Sequence, residues 1–395
     1  MVLDILVYGL AIWYATDRST EGRRHSSLWI YALAMAQPAI LLIDHGHFQY
    51  NTVALGLSIA GFSYMVQPEF RNCIIGSIFF CLALNFKQMT LYYAPPVFCY
   101  LLGRCLSQPR LLVGRFLSLA VTVLITFGIL WAPFLLEGPA NTTPTDRLLH
   151  VLRRIFPFQR GLFEGKVANL WCVLSTKPIR IRNRIPAELQ PIMALGLTLL
   201  LILPACYRML RLGLQTFPTT PTTSEVTSHR HWTLFLWATM ASALSFFLAS
   251  FQVHEKSILL ALAPCSLLLW QDPTLVDWFS IVCCWSLWPL LQTDRLQVPY
   301  VCCLGIFEAM IRLRKSTTGQ AGSMVPAWMP SASYGAMLGL HIGQLIIPIP
   351  ANLPDLFEVF WAMVGCAMFC IAWCITCVKL FGGPLNPEFQ KAKVS

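Results

Sequence analysis

Four short polar stretches hold most of the side chains in this sequence that could do chemistry, and apolar residues flank each of them. The first, Asp44-His45-Gly46-His47-Phe48-Gln49-Tyr50-Asn51-Thr52, offers a carboxylate, two imidazoles and two amides within nine residues. His45 and His47 alternate, so they cannot share one helix face, and a metal centre needs more ligands than this stretch assures. A polar-substrate site and a solvated loop remain as readings. The second stretch, Asn85 to Pro96, carries Lys87 and Gln88. Lys87 either snorkels to the membrane surface or contacts a phosphate with help from Gln88, Tyr92 and Tyr93. In the third, His254, Glu255 and Lys256 stand in a row, which is costly at a membrane boundary unless they are paired. Glu255 and Lys256 neutralise each other, or His254 and Lys256 stabilise a departing phosphate. The fourth interleaves Arg153, Arg154, Arg160, Glu164 and Lys166 with aromatic residues up to Trp171. That mixture suits an anionic, sugar-bearing ligand, and it equally suits interfacial anchoring.

The elements that must position these groups are membrane helices. Of 395 residues 56% are hydrophobic and only 12% charged, about half the charge of a soluble domain. Thirteen apolar segments are expected near 2–16, 27–43, 52–67, 73–85, 90–103, 115–136, 190–208, 232–252, 257–270, 276–292, 297–311, 333–350 and 354–378. The predicted fold is all-α, a single polytopic domain over 1–395 embedded in a lipid bilayer. Several segments are shorter than the ~20 residues that cross a bilayer upright, so re-entrant or protein-buried helices are expected among them. The net charge of +10 is dispersed over the connections and forms no stripe, which excludes a nucleic-acid partner. The fifteen cysteines lie mostly in apolar runs, with no CxxC pair followed by a second at zinc spacing, and read as small packing residues. No GxGxxG, P-loop or nucleophile elbow is present, so no nucleotide cofactor is expected.

Sorting the connections alternately gives one set with sixteen basic residues, among them Arg71, Arg104, Arg110, Arg115, Arg314, Lys315 and Lys379. The short loops of the other set carry only Lys87, Lys256 and Arg295. The positive-inside rule makes the first set cytosolic. All four polar stretches then fall on the luminal side, with 137–189 as a long luminal loop and 209–231 as a cytosolic linker containing the Thr/Pro tract 216–224. Asn141-Thr-Thr143 is a glycosylation sequon on that luminal loop. An odd number of spans puts Met1 in the lumen, which is awkward without a preceding helix.

With these motifs in order, the chain resembles the endoplasmic-reticulum dolichyl-phosphate-glucose-dependent α-1,3-glucosyltransferases of GT-C fold. Ile43 to Asn51, Leu84 to Met89, Leu152 to Pro157 and Ser250 to Ser257 carry the resemblance. Arg160 to Cys172 resembles the first-glucose enzyme more than its second-glucose paralogue. The resemblance implies a dolichyl-phosphate-glucose donor, a dolichyl-pyrophosphate-linked oligosaccharide acceptor, an inverting and metal-independent transfer, and an endoplasmic-reticulum membrane location with a luminal site. It implies that His254 contacts the departing phosphate. It places the catalytic base on an Asp in a luminal loop preceding the helix that starts here, so no base is assigned among these residues. A chain without that loop is expected to keep fold and donor groove, and the resemblance leaves the activity of this exact chain open. A non-catalytic dolichol-ligand binder and a secondary transporter are the rival classes, the latter disfavoured because the ionisable residues lie at the segment ends.

Overall fold

In hydrocarbon a backbone must satisfy its own polar groups, and a helix does so within one segment. Each of the thirteen apolar stretches accordingly contains a helix in the computed structural model, which describes residues 2–20, 24–136, 143–155, 167–176, 179–218, 220–318 and 323–382. The first third holds α1 (Val2–Thr20), α2 (Arg24–Met35), the short α3 (Pro38–Leu41), α4 (Asn51–Met65), α5 (Phe70–Phe86) and α6 (Ala94–Leu106). A wide π turn over Leu42–Gly46 follows α3, and a 3-10 turn over Gln88–Tyr93 leads into α6. Next come α7 (Leu112–Leu136), α8 (Pro144–Ile155), α9 (Leu170–Leu174), α10 (Gln190–Gly213) and α11 (Pro221–Ala249). The remainder is α12 (Leu259–Ser266), α13 (Pro273–Ser286), α14 (Trp288–Thr293), α15 (Gln297–Thr318), α16 (Trp328–Ile346) and α17 (Leu356–Phe381). The described residues contain no strand. Five stretches are long and apolar enough to cross a membrane: Ser27–Gly46, Pro109–Leu136, Gln190–Gly213, Thr222–Ala249 and Leu356–Phe381.

The core is built around α11, which packs on α10, α12 and α17 and buries Trp232, Phe235, Trp237, Leu244 and Phe247. Its hydroxyls have no water to meet, so Thr239 donates to the Phe235 carbonyl at 2.9 Å and Ser245 to that of Ala241 at 2.8 Å. α6 and α10 approach backbone to backbone. A Cβ on Gly213 would sit 2.3 Å from the Tyr100 carbonyl oxygen, and one on Gly103 2.6 Å from that of Leu210. Close approach through small residues is how membrane helices gain packing where lipid and side chain are equally apolar.

By contrast α7 leans on α5 and α6 and buries only Leu119, leaving grooves along its length. Two elements were not anticipated from the sequence. The strongly amphipathic α8 opens on a capping box in which the Thr143 hydroxyl donates to Asp146 at 2.6 Å and accepts from the Asp146 backbone at 3.2 Å. Arg147 of α8 donates to the Leu135 and Leu136 carbonyls at 3.0 and 3.1 Å and so caps the end of α7. The other unanticipated element, α9, is a single short turn. The linker expected at 209–231 contracts, since α10 continues to Gly213 and α11 begins at Pro221. A proline at the first helical position, where its missing N–H is not needed, explains why the Thr/Pro tract starts a helix.

The alternating connections do gather at opposite ends. At one end Arg104 lies 4.7 Å over the Phe217 ring and donates to the Gln67 and Pro68 carbonyls at 2.8 and 2.7 Å. Lys379 meets Asp272 at 2.9 Å at the same set of loops. The Asp44 stretch, Lys87, Lys256 and Asp294 meet at the other end.

Candidate functional site

The site is assembled around the start of α4. Asp44 sits in the π turn and is 1% exposed, yet each of its oxygens is satisfied. Asn51 donates its amide to one at 2.7 Å, and the Thr52 backbone N–H donates to the other at 2.5 Å. The carboxylate thus occupies the N-terminus of α4, where free N–H groups and the helix dipole favour an anion. Asn51 then turns its carbonyl oxygen to Lys87, whose Nζ donates to it at 2.6 Å and to the Gln49 carbonyl at 2.5 Å. The amide orientation follows from its partners, because a carboxylate only accepts and an ammonium only donates. Asp44, Asn51 and Lys87 are therefore one chain of bonds across three elements.

Burial pulls the Lys87 ammonium down to about 8, against the attraction of Asp44 and with help from the repulsion of Lys256. Lys256 is likewise lowered by burial, opposed by Glu255 and Asp294. Two half-buried ammonium groups thus lie within each other's field at this end of the bundle. His47 Nδ1 donates to the Asp294 carboxylate, which ties the first polar stretch to the end of α14. Four described non-glycine residues here have positive φ: Phe48 at 56°, Tyr50 at 54°, Gln252 at 60° and Arg295 at 59°. Such backbone persists where surrounding contacts over-determine it, and it concentrates at functional sites.

Beside this cluster lies a cleft of about 670 Å³, within the range of ligand pockets. Gln88, Leu91, Phe127, Trp131, Val151 and Leu152 are among its lining residues, so α7 and the apolar face of α8 form one wall. Trp131 Nε1 donates to the Asn85 side chain at 2.6 Å across it.

The structure therefore brings together Asp44, His47, Gln49, Asn51, Lys87, Glu255 and Lys256, and places exposed Gln88 in the adjoining cleft. His45 is half-buried on the π turn and Tyr50 is exposed at the start of α4; His254 is exposed immediately before the 3-10 turn Glu255–Ile258. Glu255 is not closed into an ion pair with Lys256 among the described contacts; instead Lys256 feels both Glu255 and Asp294. Tyr92 and Tyr93 are both engaged within the fold. Tyr92 stacks on Phe246 with ring centres 4.7 Å apart, and Tyr93 donates its hydroxyl to the Leu260 carbonyl. Arg153 is exposed on α8 and Arg154 falls in the last turn of that helix. Arg160, Glu164, Lys166 and Asn141 lie outside the described residues. Trp171, at the end of the fourth stretch, is buried and donates to the Ala249 carbonyl at 2.7 Å, which fastens the loop to the end of α11, while Asn169 caps α9. Asp294 is the residue the sequence reasoning missed. Its position next to Arg295 in a short connection of the same loop set was the available signal. Among the described residues no group of three or more His, Cys, Asp or Glu side chains is placed to hold a metal.

Among the described residues the chain is an all-helical bundle with a polar cluster of lysines and acids at one end, beside a largely apolar cleft. Comparison with known proteins gives its class. The family model described as the ALG6, ALG8 glycosyltransferase family matches residues 1–376, and the chain belongs to that family. Among its relatives is a protein of Gallus gallus named dolichyl pyrophosphate Man9GlcNAc2 alpha-1,3-glucosyltransferase. It is 36% identical over 397 residues, covering 93% of this chain and 72% of the relative. Proteins of the same name from Mus musculus and Saccharomyces cerevisiae are 34% and 32% identical over 93% and 96% of this chain, and over 72% and 71% of their own lengths.

Proposed function

We propose that this chain is an α-1,3-glucosyltransferase that carries glucose from dolichyl-phosphate-glucose to a dolichyl-pyrophosphate-linked Man9GlcNAc2 oligosaccharide in the endoplasmic-reticulum membrane, with its site in the lumen. The observation that carries this reading is the Asp44–Asn51–Lys87 chain with Lys256 nearby, beside a cleft of about 670 Å³ that faces lipid. The relatives' acceptor, Man9GlcNAc2, contains no glucose, which favours the first-glucose reaction over that of the paralogue. The positive-inside sorting of the loops supports a luminal site.

In this reading the donor's isoprenoid chain lies in the cleft against α7 and α8, and Gln88 meets its sugar or phosphate. Lys87 and Lys256, with His254 at the rim, neutralise the phosphate. An acceptor hydroxyl attacks the anomeric carbon, the carbon–oxygen bond to phosphate breaks, and its electron pair leaves on dolichyl phosphate. A phosphate stabilised by two cations needs no proton from a general acid. The hydroxyl proton goes to a base that none of the described side chains is assigned to supply, since Asp44 is fully engaged at the head of α4. His45, Gln49, Tyr50 and Glu255 border the same space, and Arg153, Arg154, Arg160, Glu164 and Lys166 are proposed for the acceptor's pyrophosphate and sugars. Asn141 is proposed as a glycosylated residue of the same luminal loop.

The test is glucose transfer in microsomes lacking the host activity, with the chain expressed alone and as a fusion to the N-terminal segment of the chicken relative. Transfer by the fusion to the glucose-free lipid-linked oligosaccharide, reduced at least tenfold by His254→Ala in that fusion, is the expected result. No transfer in either form, with normal expression, would overturn it.

A further inference from the structure

A second groove follows α7 towards the end of the bundle opposite Asp44. It has a volume of about 390 Å³ and lies between α5, α6 and α7, with Phe98, Leu101, Phe116, Ala120 and Val123 among its walls. Behind it Cys73, Cys105 and Leu119 form a small buried cluster of their own. The groove is apolar and open to lipid, so an alkyl chain can fill it without burying a polar group.

Its mouth is cationic. Arg115 precedes Phe116 and lies one turn from Leu119; its guanidinium sits 4.6 Å over the Phe70 ring. It donates to Gln108 Oε1 at 2.8 Å and to the Arg104 carbonyl at 3.0 Å, both neutral acceptors. Arg71 and Arg110 flank it and are exposed. None of these three arginines forms an ion pair among the described residues, and Glu69 is the one carboxylate between residues 66 and 136. The contrast within the same end of the molecule is informative, since Asp272 and Asp277 a few helices away are matched with Lys379 and Arg314. Arg115 beside the apolar slot, with exposed Arg71 next to its Phe70 partner and exposed Arg110 two residues from its Gln108 partner, fits a ligand with an anionic head and a hydrocarbon tail.

We propose that this groove binds one anionic glycerophospholipid, with an acyl chain between α6 and α7 and its phosphate on Arg110 and Arg115. Basic pockets between membrane helices recognise anionic headgroups in this way, and the lipid would also fill the gap that leaves α7 poorly packed. This site is separate from the Lys87 end and does not depend on the reaction proposed there.

The experiment is native mass spectrometry of the purified full chain, titrated with phosphatidylserine and with phosphatidylcholine of the same acyl composition. One phosphatidylserine per chain is expected, held about tenfold more tightly than phosphatidylcholine. Arg110→Gln is expected to lower that preference by roughly fivefold, the effect of one juxtamembrane charge. Ala120→Trp, which fills the groove and leaves the charges alone, is expected to abolish retention of the lipid; Val123→Phe gives the same block with a smaller side chain should the tryptophan variant aggregate. Equal retention of the two lipids, or phosphatidylserine binding untouched by both groove-filling variants, would overturn the proposal.

Discussion

Both ends of this helix bundle bury carboxylates, but they use them in opposite ways. At the end opposite the proposed site, Asp277 is held by Arg314 at 2.6 Å and Lys315 at 3.2 Å, while Asp272 accepts from Lys379 at 2.9 Å, Ser323 at 2.5 Å and the Leu275 backbone at 3.2 Å. There each buried acid meets a cation, and together they tie α13 to α15, α17 and the segment before α16. At the Asp44 end the buried acid is satisfied by a helix N-terminus and an amide, Lys87 donates to neutral oxygens, and Lys256 lies in the field of Glu255 and Asp294. One end is electrostatically closed and holds helices together. At the other, Lys87 bonds to neutral oxygens and to no carboxylate among the described contacts, and it is this ammonium that we propose meets an anionic substrate.

The comparison can be broken by substitutions at either end. The largest effect is expected at the closed end. Asp277→Ala leaves Arg314 buried without its acid, a loss of about 3–5 kcal/mol for one partner of a buried pair, read as a lower thermal midpoint of the detergent-solubilised protein. The double change Asp277→Leu with Arg314→Met should recover most of it, and donor binding per folded molecule should be unchanged throughout. Next, Lys87→Met should weaken dolichyl phosphate binding by about 10- to 100-fold, the weight of a charged hydrogen bond of roughly 1.5–3 kcal/mol, with no fall in thermal midpoint.

A pH series sharpens the same point. Because the Lys87 value is lowered to about 8, its charge is lost as pH rises through 8, and donor affinity should fall between pH 7 and 9. Lys87→Arg, charged throughout, should flatten that step. The stability sign is the reverse of the binding sign. The unfolded lysine holds its proton up to higher pH than the folded one, so Lys87's penalty is present below about 8 and is relieved as pH climbs from there towards the ordinary lysine value. The smallest effect belongs to Asp294→Asn. Its partner His47 is partly exposed, so about 1 kcal/mol or less is expected in stability, with a modest change in binding through Lys256.

How much of this could be read beforehand differs between the two ends. Hydropathy places a helix in each of the thirteen apolar segments, because backbone in hydrocarbon must satisfy its own polar groups. Lys87 and Asp44 stand out because each is polar among apolar neighbours. Their connection through Asn51 is invisible in one dimension, since residues 44, 51 and 87 meet only after α4 and α5 pack through Gly61 and Gly76, where an added Cβ on Gly76 would lie 2.6 Å from the Gly61 carbonyl oxygen. The buried acids of the closed end escaped notice for a related reason. Asp277 sits at the edge of an apolar segment and reads as a boundary residue until Arg314, thirty-seven positions later, is brought against it. Asp294 was likewise hidden in a short connection whose basic neighbour drew the attention. The amphipathic α8 was lost inside a long polar loop, because its apolar face shows only at helical spacing.

The most direct measurement is dolichyl phosphate binding to the wild-type chain, Lys87→Met and Asp277→Ala, made at pH 7 alongside each protein's thermal midpoint. Affinity falling at least tenfold in Lys87→Met at unchanged midpoint, with the reverse pattern in Asp277→Ala, is the predicted result. Undiminished affinity in Lys87→Met, or equal loss from both substitutions, would contradict the division of the molecule into an anion-binding end and a structural one.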